Sequence, residues 1–217
     1  ETYFNWCDMV KDLINGFNKF RNKYFDENRE FYQTLVKIGQ KPKVMVISCS
    51  DSRVDPTILF GSSPGDLFVV RNVANLVPPY QPDDKYHGVS AAIEYGVLEL
   101  KVKDIIILGH SFCGGIEALC SEFLGETDHI SEFVSSWIKI ALPAMEKFDC
   151  NSTKSEIIDL VGHASINNSI KNLRTFPWLK TRELNKELRI HGWWFDMEEG
   201  ILWASENGTE NFQPLVS

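Results

Sequence analysis

Two short polar clusters hold the residues whose types and spacing suit metal chemistry. Ser48-Cys49-Ser50-Asp51-Ser52-Arg53 follows one apolar run, and Gly109-His110-Ser111-Phe112-Cys113-Gly114-Gly115 follows another. Cys49, His110 and Cys113 offer two thiolates and one imidazole, a donor set that zinc favours. His110 and Cys113 stand at i and i+3 on what reads as a strand-to-helix turn, close enough to share one ion. Cys113 would open a helix, where the positive end of the macrodipole favours the thiolate. Gly114 and Gly115 would let the backbone approach without side-chain clashes.

The number of ligands separates structural from catalytic zinc. A structural site closes every corner of its tetrahedron with protein atoms, whereas a catalytic site keeps one for water. Three ligands are evident here, and the nearest further one is Asp51. A carboxylate beside a metal-held water can accept its proton, and Arg53 could fix that carboxylate in a bidentate grip. In the alternative, Asp51 itself binds the ion, displaces the water and gives an inactive state. The Asp51–Arg53 contact would decide between the two.

Such clusters need elements to position them. Val44–Ile47, Leu67–Val70 and Ile105–Leu108 are short β-rich runs of the kind buried on both faces of a sheet. The stretch 89–100 reads as a helix on Val89, Ile93, Val97 and Leu100; another follows the third run on Ile116, Leu119, Cys120 and Phe123. Strands alternating with helices predict a parallel sheet covered on both sides. In such sheets ligands bind beyond the carboxyl ends of the strands, where both clusters sit. Further helices are expected at about 130–148 and 155–173. A late strand is expected at 188–195, with a possible hairpin through 200–204. Residues 2–37 read as two helices. The first carries the stripe Tyr3, Trp6, Val10, Leu13 and Phe17; the second spans about 28–38 and ends at Gly39.

The remaining cysteines and histidines have simpler readings. Cys120 falls in a core stripe, Cys7 beside the first helix's stripe, and Cys150 in an exposed loop. His87 and His129 lie in polar loops; His163 and His191 read as hydrogen-bonded structural residues. Trp193-Trp194 fits a strand facing two packed layers. Residues 109–115 lack the spacing of either phosphate-loop pattern.

The chain has 217 residues, 43% of them hydrophobic and 24% charged, which is the balance of a soluble globular domain. Its 22 basic and 30 acidic residues give a net charge of −8, against the basic footprint of a nucleic-acid binder. No apolar run nears the ~18 residues that span a bilayer. Five cysteines are too few for a disulfide scaffold, so a reducing, cytoplasmic setting is expected. The sequence starts at Glu1 without a signal-like segment, and prior removal of a targeting segment stays open.

With these motifs placed, the sequence resembles the β-class carbonic anhydrases over roughly residues 28–205. CSDSR (49–53) and GHSFCGG (109–115) match the family's two zinc motifs. RNVANL (71–76), AIEY (92–95), NLRTFPW (172–178) and IHGW (190–193) match further signatures. The resemblance implies a zinc-dependent, reversible hydration of carbon dioxide, with one Zn2+ per subunit on Cys49, His110 and Cys113. It implies that Asp51 and Arg53 form a catalytic dyad. In the plant-type branch, Gln40, Phe68, Val73 and Tyr95 would line the CO2 pocket, with Gln40, Phe68 and Tyr95 coming from a neighbouring subunit. The other branch has a tryptophan, part of an inhibitory bicarbonate site, where this chain has Val46.

The implied fold is a three-layer α/β/α domain. It has a mainly parallel sheet of order 2-1-3-4, a C-terminal antiparallel strand, and N-terminal helices that embrace a partner. One domain spans 1–217, as a helical arm (1–38) and a zinc-binding core (39–217). A homodimer or larger homo-oligomer is expected, without nucleic acid or membrane partners. The competing classes are a zinc hydrolase of a CO2-like molecule such as carbon disulfide, and a non-catalytic zinc-bound assembly protein.

Overall fold

The three β-rich runs become the middle of one sheet. They are β1 (Val44–Cys49), β2 (Leu67–Asn72) and β3 (Asp104–His110), joined by β4 (Arg189–Asp196), β5 (Ile201–Ser205) and β6 (Phe212–Val216). The structure is a computed structural model that describes residues 6–126, 131–147, 152–205, 208–209 and 211–216. Strand order is β2-β1-β3-β4-β5-β6. The pairs β1–β2, β1–β3 and β3–β4 are parallel; β4–β5 and β5–β6 are antiparallel. The chain leaves β1 for a neighbour on one side and later returns to the other. The crevice beyond the carboxyl ends of β1 and β3 is therefore a topological switch point, where open α/β sheets bind ligands.

The chain divides into two compact units, Glu1–Lys41 and Pro42–Ser217. The first holds α1 (Trp6–Lys19), a π-helical turn (Phe20–Phe25) and α2 (Arg29–Ile38). The expected helices are there, and their apolar stripes are uncovered: Val10, Leu13 and Phe17 are 59, 74 and 59% exposed. Tyr3 and the side chains of Trp6 and Cys7 lie outside the described residues, as do His129 and Cys150.

The second unit holds α3 (Pro56–Leu59), α4 (Gly88–Glu94), α5 (Gly114–Leu124), α6 (Val134–Ile138), α7 (Lys154–Leu173) and α8 (Pro177–Leu184). Side chains alternate across the strands with a period of two. Met45, Ile47, Ile105, Ile107 and Trp194 face a core completed by Ile93, Ile166, Ile170 and Leu179 from α4, α7 and α8. Val46, Ile106 and Leu108 face the other way, with Leu59, Trp193, Phe195 and Leu202 packed against them. Adjacent tryptophans thus serve opposite faces, as the sequence suggested. A third cluster, with Cys49, Cys113, Ile116, Leu119 and Cys120, lies under the metal motifs.

Three expectations need correction. The helix expected over 130–148 is α only from Val134 to Ile138 and continues as a 3-10 helix over Lys139–Lys147, which contains Pro143. Pro143 has no N–H to donate, and its ring crowds the carbonyl four residues back at Lys139, where the α-helix gives way. The helix after Val89 tightens less than it loosens: Tyr95–Glu99 is a π-helical turn. β6 lies beyond the expected strands; its Pro214 is tolerated on the sheet's last strand.

Candidate metal centre

β1 and β3 end side by side, and their last residues are Cys49 and His110. Cys113 follows one short turn later, at the N-cap of α5. All three side chains are buried, at 5, 0 and 1% exposure. Their sulfur and nitrogen atoms lie within 4.8 Å of one another, and the two sulfurs are 3.8 Å apart. Two sulfurs about 2.3 Å from zinc on tetrahedral corners would stand about 3.8 Å apart, so the spacing fits that ion.

The imidazole is oriented for the same task. His110 Nδ1 donates to the Ser111 carbonyl at 2.8 Å, which leaves Nε2 as the ring's acceptor. Nε2 is buried and has no hydrogen-bond partner among the described residues. An orphaned buried nitrogen facing two thiols is costly unless a cation completes it.

The sulfurs make the same point. The Cys113 thiol, hydrogen-bonded to Cys49, holds Cys49 far below the usual thiol range against the opposing cost of burial; His110 and the amides of Asp51 and Ala74 assist. Cys113 is pushed up by that same contact and by burial, although the Ile116 and Gly115 amides of α5 favour its thiolate. Two buried sulfurs this close share a proton until a dication lets both ionise.

The Cys49–Val54 loop is clamped from β2. Arg71 donates from Nε to the Cys49 carbonyl at 2.9 Å and from Nη2 to the carbonyls of Asp51 at 2.7 Å and Val54 at 2.9 Å. Its Nη1 reaches Asp55 Oδ2 at 3.1 Å, and Asp55 caps α3 through Thr57 and Ile58. This positioning role of Arg71 and Asp55 was missed in the sequence. The signal available was an arginine at the carboxyl end of a strand next to an Asp-Pro helix start.

Asp51 and Arg53 meet as expected. Arg53 donates from Nε to Asp51 Oδ1 at 3.0 Å and from Nη2 to Oδ2 at 2.7 Å, and its amide adds a third bond at 3.0 Å. Arg53 Nη2 also donates to the Phe112 carbonyl at 3.0 Å, and Phe112 holds a left-handed φ of 55° to present it. The Arg53 hydrogen bonds, outweighing partial burial, keep Asp51 well below the usual carboxylate range. Asp51 Oδ2 lies 4.0 Å from His110 Nε2, yet the carboxylate is not in the group of mutually close ligand atoms.

A family model described as carbonic anhydrase matches residues 44–202. Beta carbonic anhydrase 3 of Arabidopsis thaliana is 35% identical over 205 residues, which cover 92% of this chain and 78% of that protein. The chain belongs to the β-class carbonic anhydrases. Among solved structures it is similar to the β-carbonic anhydrase CcaA, with a TM-score of 0.83, 32% identity and coverage of 97% of this chain and 93% of that one. One of two tetrameric β-carbonic anhydrases from Sordaria macrospora gives a TM-score of 0.79, 28% identity and coverage of 96 and 97%. This carbonic anhydrase therefore interconverts carbon dioxide and bicarbonate, and its Cys49, His110 and Cys113 group is typical of the family's zinc site.

The expected pocket residues fall into three groups. Val73 lies beside the metal motif: a Cβ on Gly115 would sit 2.8 Å from its Cγ1, so the glycine makes room for it. Phe68 and Tyr95 pair with each other, ring centroids 6.0 Å apart. Phe68 is the register partner of Met45, four residues before Cys49, or about 13 Å back along the strand. Gln40 is exposed and belongs to the first unit.

Among the described residues, the other cysteine and histidines lie outside the metal-type group. Cys120 is 3% exposed, and burial pushes its thiol up to about 11. His191 Nε2 pairs with Asp104 Oδ1 at 2.8 Å. His87 pairs with Asp83 and so is less solvated than expected. His163 has no hydrogen bond among the described residues; it stacks on Phe212 at 4.4 Å and meets Trp194 edge-on at 4.3 Å. No helix among the described residues is long and apolar enough to cross a membrane.

Proposed function

We propose that Asp51 and Arg53 are the catalytic pair of this carbonic anhydrase, and that it works as a homodimer or larger homo-oligomer. The bidentate Arg53 grip on an ionised Asp51, 4.0 Å from His110 Nε2, carries the reading. Zinc, when bound, lowers the pKa of water toward about 7 and so supplies a nucleophile near neutral pH. Asp51 Oδ2 would accept a hydrogen bond from that water and so orient it toward the substrate. Arg53 would keep the carboxylate from binding the metal in the water's stead, and the Phe112 carbonyl restrains Arg53.

Carbon dioxide is apolar, and the Val73 side chain against Gly115 offers it an apolar wall. The Phe68–Tyr95 pair, set back along the sheet, supports delivery of Gln40, Phe68 and Tyr95 across a subunit boundary. The apolar stripes of α1 and α2 support the same assembly: Leu13 is 74% exposed and Val36 83%. The arm of 1–38 and the core of 39–217 would act as one domain within it.

Stopped-flow hydration of the zinc-loaded Asp51→Ala variant tests the pairing. The rate should fall about 10- to 100-fold with zinc content unchanged. Wild-type rates in that variant would remove Asp51 from the mechanism.

A further inference from the structure

The turn after β2 brings one backbone amide to the metal centre. Val73–Asn75 is a short 3-10 element in which Ala74 and Asn75 hold left-handed φ angles of 64 and 48°. That conformation is costly for a residue with a side chain and persists where neighbours over-determine it. Asn72 brackets the turn: its Nδ2 donates to the Leu76 carbonyl at 2.9 Å, and its Oδ1 accepts from the Leu76 amide at 2.8 Å. Ala74 is fully buried, and its amide donates to the Cys49 sulfur.

The other end of the same peptide group is held from a distant part of the chain. Trp137 on α6 donates from Nε1 to the Val73 carbonyl at 2.7 Å. The Val73 C=O and the Ala74 N–H belong to one planar peptide and point in opposite directions. Fixing the carbonyl therefore fixes the aim of the amide, and that aim is Cys49 Sγ. The indole packs against the cluster that contains Cys49, Ala74 and Cys113, which restrains its ring. A Cβ on Gly115 would stand 2.9 Å from the Ala74 Cβ and 3.3 Å from its nitrogen, so the glycine lets the peptide come this close.

A hydrogen bond to a thiolate draws electron density from the sulfur, which then gives less to a metal it holds. Where two of three protein ligands are thiolates, such a bond keeps zinc the stronger Lewis acid.

We propose that Trp137 is a positioning residue for carbon dioxide hydration: through the Val73–Ala74 peptide it holds an amide donor on Cys49 and so tunes the zinc. This role is independent of the Asp51–Arg53 pairing.

Two substitutions separate the donor from the ring. Trp137→Phe keeps an aromatic side chain without the N–H. Trp137→His keeps an N–H at the corresponding ring position, Nε2, without the six-membered ring. The cobalt-substituted enzyme reports on the sulfurs through its thiolate-to-metal charge-transfer band. In Trp137→Phe that band should move to longer wavelength. The kcat/KM of the zinc-loaded variant at pH 7 should fall about two- to tenfold, the worth of one neutral hydrogen bond. Trp137→His should bring both close to the wild type. A wild-type band and rate in Trp137→Phe would overturn the proposal. So would equal displacement in both variants, because packing of the ring, not its donor, would then be what matters. Should Trp137→Phe not fold, a wild-type band in Trp137→His still supports the donor role, and a displaced band overturns it.

Discussion

His110 and His163 both bury an Nε2 with no hydrogen-bond partner among the described residues. Around His110 stand two sulfurs within 4.8 Å, a carbonyl that fixes the tautomer, and a carboxylate held just outside the ligand group. Around His163 stand two aromatic rings, Trp194 and Phe212. Burial alone holds His163 neutral, pushing its pKa down to about 4. An orphaned imidazole nitrogen is therefore not by itself a metal site. The co-donors, and the strand ends that bring them together, decide what it becomes.

The largest test of this contrast removes one co-donor. Cys49→Ala should lose stoichiometric zinc by metal analysis, and hydration should fall with it by about a thousandfold or more, the several kcal/mol a Lewis acid supplies. A zinc-free variant that stays active would break the comparison.

His163 should behave in the opposite way. Its folded pKa of about 4 lies below the ordinary value of 6.5, so the unfolded chain binds the proton more tightly. Stability from this group is complete above about pH 6.5, falls as the pH drops toward about 4, and changes no further below that. His163→Phe should keep full zinc. In urea unfolding it should gain about 2 kcal/mol on the wild type between about pH 7 and pH 4.5. Zinc loss in this variant would show that the stacked ring serves the metal centre.

A smaller test concerns a buried thiol without co-donors. Cys120 packs beside Ile116 and Leu119 under the zinc motif. Cys120→Ser should leave zinc content and hydration unchanged while costing about 1–2 kcal/mol of stability, for a hydroxyl placed in an apolar site.

The zinc centre was legible in the sequence because its ligands sit at the ends of two apolar runs. Neighbouring parallel strands carry such ends to one edge, so Cys49 and His110 needed no long-range knowledge beyond strand order. Arg53 was legible for a different reason, its two-residue spacing from Asp51. The environment of His163 was not, since its partners come from β4 and β6, distant in sequence, and β6 lies beyond the expected strands. Periodicity also could not separate α from 3-10 helix around Pro143, because both place apolar residues three or four apart. Arg71 was visible as part of a motif, but its grip on three carbonyls depends on how the 49–55 loop folds back over β2.

X-ray absorption at the zinc edge, on the wild-type enzyme near pH 8, tests the central claim most directly. Two sulfurs at about 2.3 Å and two nitrogen or oxygen neighbours at about 2.0–2.1 Å are expected, one neighbour being an imidazole and the other exchangeable with added anions. A shell with one sulfur or none, or a fourth neighbour that no anion displaces because Asp51 occupies its place, would contradict it.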